Sequence, residues 1–305
     1  MTPVRRGYLL AALAAALWAL NASISRALLD EGMNAFRLAQ LRSTGAAAVL
    51  LVALGLARRD LLRVRRSELP ALVFLGVAGM AFVHAAYFLA IQKLQIGVAL
   101  TIQYLAPLVL LVWLWAFHGR RLRPTLWAAV ALSVVGCFFV VEAYDAGSLD
   151  GVGVAAAFGS TIAFAVYMVG SERAGRLHEP VTTLVWAFGF AAVFWAVVLP
   201  WWDFPFEVVG TARGALLATG VVTVGTLAPF VCMVAALRLI PAPRAAVVAT
   251  LEPVLAAVFA WLFHDEVLAA PQLAGVALVL AAVVWVQSHR PDVAAESAPA
   301  VRRRG

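Results

Sequence analysis

Charged residues are scarce in this sequence. Of its 305 residues only 13% are charged, 64% are hydrophobic, and the mean hydropathy is +0.94. A soluble globular domain is about half apolar and about a quarter charged. The sequence also lacks a long polar stretch that could form a water-soluble domain. These absences exclude a soluble globular protein and predict an integral membrane protein.

Motifs of catalysis and cofactor binding are missing as well. There is no P-loop, no HExxH zinc motif and no GxSxG nucleophile elbow. Residues 151–156, GVGVAA, formally fit a dinucleotide fingerprint, but no strand precedes them and they open an apolar segment. The two cysteines, Cys137 and Cys232, lie in apolar segments without metal-ligand spacing, so we interpret them as packing residues. We therefore expect neither enzymatic activity nor catalytic residues, and neither cofactor nor metal.

Apolar segments of membrane-spanning length follow one another along the chain. About 20 apolar residues cross the hydrocarbon core as a helix, and only helices or closed barrels satisfy the backbone there. The segments are too long and too continuously apolar for the alternating strands of a barrel. The sequence thus predicts an all-α integral membrane protein of ten transmembrane helices. They lie roughly at 7–29, 34–57, 69–91, 97–117, 124–142, 152–171, 180–200, 214–237, 243–264 and 269–288.

Basic residues are concentrated on one side of this predicted bundle. When the N-terminus is placed in the cytoplasm, 18 of the 23 Lys and Arg lie on that side, whereas acidic connectors such as Asp30-Glu31 lie opposite. The positive-inside rule then predicts a multi-pass protein of the plasma (inner) membrane with both termini in the cytoplasm. This topology and contact with the anionic lipid bilayer explain the basic balance, so nucleic acid is not an expected partner.

The two halves of the chain resemble each other at an offset of 146 residues. Matches of Ala and Leu mean little in so apolar a chain, but a series of Pro, Trp, Phe and His recurs in helices 4 and 9. The pairs are Pro107 with Pro253, Trp115 with Trp261, Phe117 with Phe263, and His118 with His264.

This offset divides the chain into a first five-helix repeat at 1–146, a second at 147–289 and a basic cytoplasmic tail at 290–305 that we expect to be disordered. Because each half has an odd number of helices, the second enters the membrane from the opposite side. The predicted architecture is therefore an inverted-topology pair, in which many secondary transporters bind substrate near mid-membrane.

The ends of the two repeats carry a resemblance to a known family. Residues 104–136 and 250–280 each place a proline in the fourth helix of the repeat, followed by an apolar run. The second repeat adds Glu266 at the helix end and Gly275 in the next helix, whereas the first has Gly119-Arg120 in place of the acid. In this pattern the chain resembles the drug/metabolite transporter superfamily, and its EamA family in particular.

The resemblance covers essentially the whole chain. It implies a basket of ten helices around a central cavity lined mainly by helices 1, 3, 4, 6, 8 and 9. It also implies export of small metabolites, often amino acids. Arg42 matches a family position as well, although from the sequence it could instead be an anchor at the outer headgroups.

Glu252 is the most informative polar residue. It lies about 12 Å into helix 9, close to the midplane, where an ionised side chain costs about 2.5–3.5 kcal/mol. The functional interpretation is that Glu252 faces the cavity and binds a cationic substrate group or carries a proton. The alternative is a protonated side chain that is hydrogen-bonded to a neighbouring helix.

The matched prolines Pro107 and Pro253 predict interruptions of helices 4 and 9. Paired interruptions in both halves point to a transporter site, although a packing kink without a ligand is the simpler interpretation of either one alone.

Other candidates for the substrate pathway are polar or aromatic residues deep in the spans. His84 in helix 3 is either part of the pathway or a histidine satisfied by one interhelical hydrogen bond. Trp18, Tyr87, Tyr104 and Tyr167 predict an aromatic site tolerant of apolar side chains. With Glu252 and the prolines, the predicted pathway is Trp18, Asn21, His84, Tyr87, Gln103, Tyr104, Pro107, Tyr167, Thr226, Thr250, Glu252 and Pro253.

The sequence therefore predicts a secondary transporter for a small-molecule substrate, expected to be a monomer that exports metabolites such as amino acids by alternating access. Without a nucleotide site, transport is driven by gradients, and proton antiport, uniport and facilitated diffusion all stay open. A passive channel and a membrane scaffold without transport are the alternatives.

Overall fold

The architecture is that of a computed structural model, which describes residues 2–94, 96–145, 149–264, 269–289 and 291–297. Within these residues all regular secondary structure is helical, and we number the ten membrane segments α1 to α10. The uninterrupted segments are α1 (Pro3–Asp30), α2 (Ala35–Ala57), α5 (Pro124–Val140), α6 (Gly151–Gly175), α7 (Pro180–Val198) and α10 (Ala270–Ser288).

Four segments are interrupted. Segment α3 consists of Leu69–Phe74, Leu75–Ala81 and Phe82–Lys93, and α8 consists of Ala212–Val222, Thr223–Leu227 and Ala228–Leu237. Segment α4 consists of Ile96–Gln103 and Ala106–His118, and α9 of Ala242–Ala249 and Leu251–His264. The short helices outside the membrane segments are Arg59–Leu62, Arg66–Glu68, Ala143–Asp145, Trp201–Asp203, Phe206–Gly210 and Val293–Glu296.

The lengths of the segments fit a bilayer. In the described part of the chain nine of them are long and apolar enough to cross a membrane. The tenth, α5, has 17 residues and therefore extends about 25 Å, at the short end of what spans a hydrocarbon core. The prediction of an all-α, multi-pass membrane protein of ten helices is confirmed.

The packing of the helices follows the internal repeat. Segments α2 and α7 pack against each other, as do α5 and α10. Segment α3 packs on α6, and the repeat-equivalent pair, α8 on α1, is also in contact. In the same way, α4 packs on α6 and α9 packs on α1. Exchanging the two halves therefore leaves these helix pairs unchanged, as an inverted repeat requires.

Two π-helical stretches occupy equivalent places in α3 and α8. Shifted by the repeat offset, Thr223–Leu227 coincides with the last five residues of Leu75–Ala81. Each contains a glycine against the partner half: a Cβ on Gly79 would lie 3.2 Å from Tyr167 Cα, and one on Gly225 would lie 1.8 Å from Asn21 Oδ1. Asn21 and Tyr167 are themselves repeat equivalents. The sequence did not predict these wide turns, which are frequent at functional sites.

The interruptions predicted for helices 4 and 9 are present at equivalent positions. Helical geometry is lost at Tyr104 and Leu105 in α4 and at Thr250 in α9. Leu105 and Thr250 have nearly identical backbone angles, with φ/ψ of −72°/−5° and −67°/−4°. Both prolines lie within the first turn that follows, where a missing N–H is tolerated.

The start of the tail is helical. Val293–Glu296 forms a helical turn, and Glu296 is fully buried. Residues 298–305 lie outside the described part of the chain. Glu266, part of the family resemblance, also lies outside it, and the predicted repeat boundaries at 146 and 289 stay predictions.

The two cysteines are free thiols, as expected for packing residues. Cys137 is buried in α5 and Cys232 is half-buried in α8.

Candidate functional site

Glu252 begins the second part of α9, directly after the interruption at Thr250. It occupies the first turn of Leu251–His264 and is half-buried. The first turn of a helix has N–H groups without intrahelical partners and the positive end of the helix dipole. The interruption thus creates a helix N-terminus deep in the membrane, which stabilises the carboxylate there.

Residues from the first half surround this carboxylate. Tyr104, at the interruption of α4, lies within electrostatic range of Glu252. Tyr87 in α3 and Cys137 in α5 also lie within electrostatic range of Glu252. The two interrupted helices therefore meet at the carboxylate, and Tyr87 and Tyr104 are brought together as predicted.

Arg42 supplies a positive charge to the same place. Its guanidinium is buried in α2, donates from Nε to Thr226 Oγ1 at 3.0 Å and from Nη2 to the Gly225 carbonyl at 3.2 Å, and interacts electrostatically with Glu252. Thr226 in turn donates to the Val221 carbonyl at 2.7 Å, five residues back along α8. The π-helical stretch of α8 thus holds Arg42 inside the bundle, which excludes the headgroup-anchor interpretation.

His84 lies beside this group. Its Nδ1 is 2.8 Å from the Met80 carbonyl, one turn back in α3, and the ring is within electrostatic range of Arg42. At Nδ1 the hydrogen bond is thus formed within its own helix.

The predicted aromatic cluster is divided in two. Tyr87 and Tyr104 lie within electrostatic range of Glu252, whereas Trp18 and Tyr167 pack in an aromatic layer with Phe230. The ring centroids are 5.5 Å apart for Trp18 and Phe230 and 5.3 Å apart for Tyr167 and Phe230. Phe164 and Phe188 complete the layer. In place of a single aromatic site, the structure has a site beside a closed apolar layer.

The remaining predicted residues differ in their hydrogen bonding. Thr250 donates to the Val247 carbonyl at 2.6 Å, which satisfies one carbonyl at the interruption of α9. Asn21 is buried against Gly225 and accepts a hydrogen bond from Ser25 at 3.1 Å. Among the described residues, Gln103 Oε1 and the Tyr167 hydroxyl are buried without a hydrogen-bond partner. A buried polar atom of this kind can accept or donate to a ligand or water.

Similarity to known proteins follows the same architecture. The EamA-like transporter family matches this sequence twice, over residues 5–142 and 151–287. The chain belongs to the EamA-like transporter family. EamA proteins are transporters, and the two matched regions reproduce the two-repeat organisation of the fold.

Individual relatives of this EamA protein are transporters too. The threonine/homoserine exporter RhtA of Escherichia coli (strain K12) is 27% identical over 232 residues, covering 72% of each chain. The uncharacterised transporter YwfM of Bacillus subtilis (strain 168) is 25% identical over 288 residues, covering 94% of this chain and 95% of its own. A solved crystal structure superposes with a TM-score of 0.77 at 19% identity, over 92% of this chain and 95% of its own, and shows the same fold.

Two features of this EamA protein were missed or undervalued by sequence reasoning. Arg42 was noted but left outside the predicted pathway, because nothing local indicates that Thr226, 184 residues away, accepts from it. A second buried arginine, Arg244 at the start of α9, bonds to Tyr8 and Glu296. In the sequence it only counted as one of many basic residues near a membrane face.

Proposed function

We propose that this chain is a secondary transporter that exports small metabolites bearing both an ammonium and a carboxylate group, amino acids foremost, by alternating access. The observation that carries the proposal is the placement of Arg42 and Glu252. The first half of the chain contributes the cation and the second half the carboxylate, both within membrane segments and within electrostatic range of each other. Charged side chains are rare at such depth and mark substrate or ion pathways.

The chemistry of this group suits a zwitterion. The substrate carboxylate would bind the N–H groups of Arg42 that are turned away from Thr226 and Gly225, and the ammonium group would bind Glu252. Tyr87 and Tyr104 supply aromatic walls and hydroxyl groups on the same side. The resemblance to a threonine/homoserine exporter supports this substrate class.

Proton coupling belongs to the same proposal. Glu252 is half-buried, so it would exchange a proton with water whenever the site opens to one side of the membrane. A substrate ammonium group and a proton would then compete for one carboxylate, which yields antiport. We further propose the inner membrane as the location, a monomer as the working unit and cytoplasmic chain termini, as the basic residues indicate.

Counterflow into proteoliposomes tests the proposal. Vesicles loaded with unlabelled threonine or homoserine should accumulate the labelled compound, with saturation. Glu252→Gln should reduce this exchange at least roughly tenfold, because the charge that pairs with the ammonium group is gone. Glu207→Gln, an exposed carboxylate outside the membrane segments, is the matched control and should exchange normally.

Two results would contradict the proposal. Uptake that never saturates and shows no counterflow would indicate a passive channel. Unaltered exchange and unaltered pH dependence in Glu252→Gln would remove this residue from the mechanism.

A further inference from the structure

A buried ion pair joins the C-terminal tail to the start of α9. Arg244 is 1% exposed and Glu296 is 0% exposed. The guanidinium binds the carboxylate with two N–H groups, from Nη2 to Oε1 at 2.9 Å and from Nε to Oε2. Such two-pronged pairing is the strongest arrangement available to arginine and a carboxylate.

The third nitrogen of Arg244 ties the two halves of the protein together. Nη1 donates to the Tyr8 hydroxyl at 3.1 Å, to the Val286 carbonyl at 2.8 Å and to the His289 carbonyl at 2.6 Å. Tyr8 itself donates to the Val286 carbonyl at 3.2 Å. Tyr8 belongs to α1 in the first half, whereas Arg244 and Val286 belong to α9 and α10 in the second.

The surrounding packing closes the same end of the bundle. A Cβ on Gly7 would lie 2.9 Å from Ile240 Cγ2, so α1 lies tightly against the connector between α8 and α9. Farther into the membrane, the aromatic layer of Trp18, Tyr167 and Phe230 fills the space between α1, α6 and α8. This is the end that carries both chain termini.

The energetics of the pair favour two discrete states. Removing both charges from water costs free energy. The pairing offsets this cost only while all hydrogen bonds between the two side chains are formed. A partly separated pair would leave buried charges without partners, so the cluster is either intact and dry or dissociated and hydrated. Elements with two such states are what conformational transitions use.

We define the mouth as the contact between Tyr8 of α1 and Arg244 of α9 at this end of the bundle. We propose that Glu296 is a latch for it: Glu296 holds the mouth closed by binding Arg244, and it dissociates from Arg244 when the mouth opens. The role of the opening in transport rests on the proposed function, whereas the latch itself does not. The tail thereby controls access to the central site from the side on which both termini lie.

Hydrogen exchange of the full-length protein tests the latch without any substrate. In Glu296→Gln, exchange should accelerate at least roughly tenfold in peptides covering 4–12 and 243–250, because the buried Arg244 loses its counter-charge. Glu296→Asp keeps the charge and should return most of the protection. The control is Glu179→Gln, which breaks the Arg238–Glu179 pair at 2.7 Å; both residues are in the second half, so the mouth should stay protected.

The outcomes separate the latch from a general loss of stability. Acceleration confined to the two peptides, with recovery in Glu296→Asp, supports the proposal. Exchange equal to that of the unaltered protein overturns it, as does acceleration spread evenly over α2, α5 and α7. Because no transport is measured, a protein that fails every counterflow assay can still pass this test, and a latch that fails leaves the transport proposal intact.

Discussion

Arg42 and Glu252 interact across the boundary between the two halves of the chain, yet their repeat equivalents, Phe188 and Ala106, carry no charge. Each of these equivalents is 1% exposed, and Phe188 packs on Phe230 in the aromatic layer. An inverted repeat creates two equivalent sites, which are related by its pseudo-two-fold axis. Here one site holds two charged side chains, and its carboxylate is half-buried, while the other site is apolar and packed.

The shape of the Arg42 guanidinium is expected to matter as well as its charge. In Arg42→Lys the compact ammonium group lacks the planar fork with which the guanidinium binds Thr226 and the Gly225 carbonyl while it presents further N–H groups to a substrate carboxylate. We expect the KM for an amino acid in counterflow to rise at least roughly tenfold, while transport of a diamine without a carboxylate, if it is a substrate, changes little. The control is Arg213→Lys, because Arg213 is exposed and forms an ion pair with Glu31 at 3.0 Å. Equal KM values for Arg42→Lys and the unaltered protein would show that Arg42 does not bind the carboxylate.

Thr226 is expected to contribute to stability through Arg42. Thr226→Val leaves Nε of a buried guanidinium without its acceptor, which costs about 1–3 kcal/mol. Thr219→Val in the same helix removes an exposed hydroxyl that only bonds to its own backbone at 2.8 Å. In thermal unfolding in detergent, the first variant should have a clearly lower Tm and the second should not. Equal Tm values would mean that the Arg42–Thr226 bond is not maintained in the folded protein.

Much of this fold follows from the sequence, because its determinants are local. Apolar length gives the ten helices, basic residues indicate their orientation, and Pro107 and Pro253 locate the interruptions of α4 and α9. Glu252 is the central residue of the predicted site because a carboxylate inside an apolar run is energetically costly wherever its partners lie.

The parts that could not be predicted depend on distant contacts. The π-helical stretch at Gly225 has no local signature, because it arises where α8 meets Asn21 of α1. The start of the tail is polar and alanine-rich, and its burial depends on the distant Arg244, which binds Glu296. The ring contacts of Trp18 with Phe164 and Phe230 were not predictable, because spacing along a helix does not show which distant rings a side chain meets.

The close contact between Gly225 and Asn21 leads to a prediction of stability. Gly225→Ala places a methyl group where Asn21 now lies and should destabilise by about 1–3 kcal/mol, as overpacking does. Gly220→Ala in the same helix has its nearest neighbour, Ile24 Cγ2, at 3.4 Å, and is expected to be neutral or stabilising. Adding Asn21→Ala to Gly225→Ala should recover part of the lost Tm. If Gly225→Ala unfolds at the same temperature as Gly220→Ala, α1 and α8 do not approach this closely.

Moving the carboxylate to its repeat equivalent should not restore transport. In Ala106→Glu combined with Glu252→Ala, the new side chain would lie at the packed, repeat-equivalent site. There Phe188 and Thr250 occupy the positions that correspond to Arg42 and Tyr104. An unpaired carboxylate buried there costs several kcal/mol, so the double variant should have a lower Tm than Glu252→Ala alone and no counterflow. Ala106→Ser with Glu252 intact is the control for the substitution at this site and should keep most of the exchange activity. Counterflow by the double variant at the rate of the unaltered protein would show that the two sites are interchangeable, and the asymmetry between Arg42–Glu252 and Phe188–Ala106 would then have no mechanistic role.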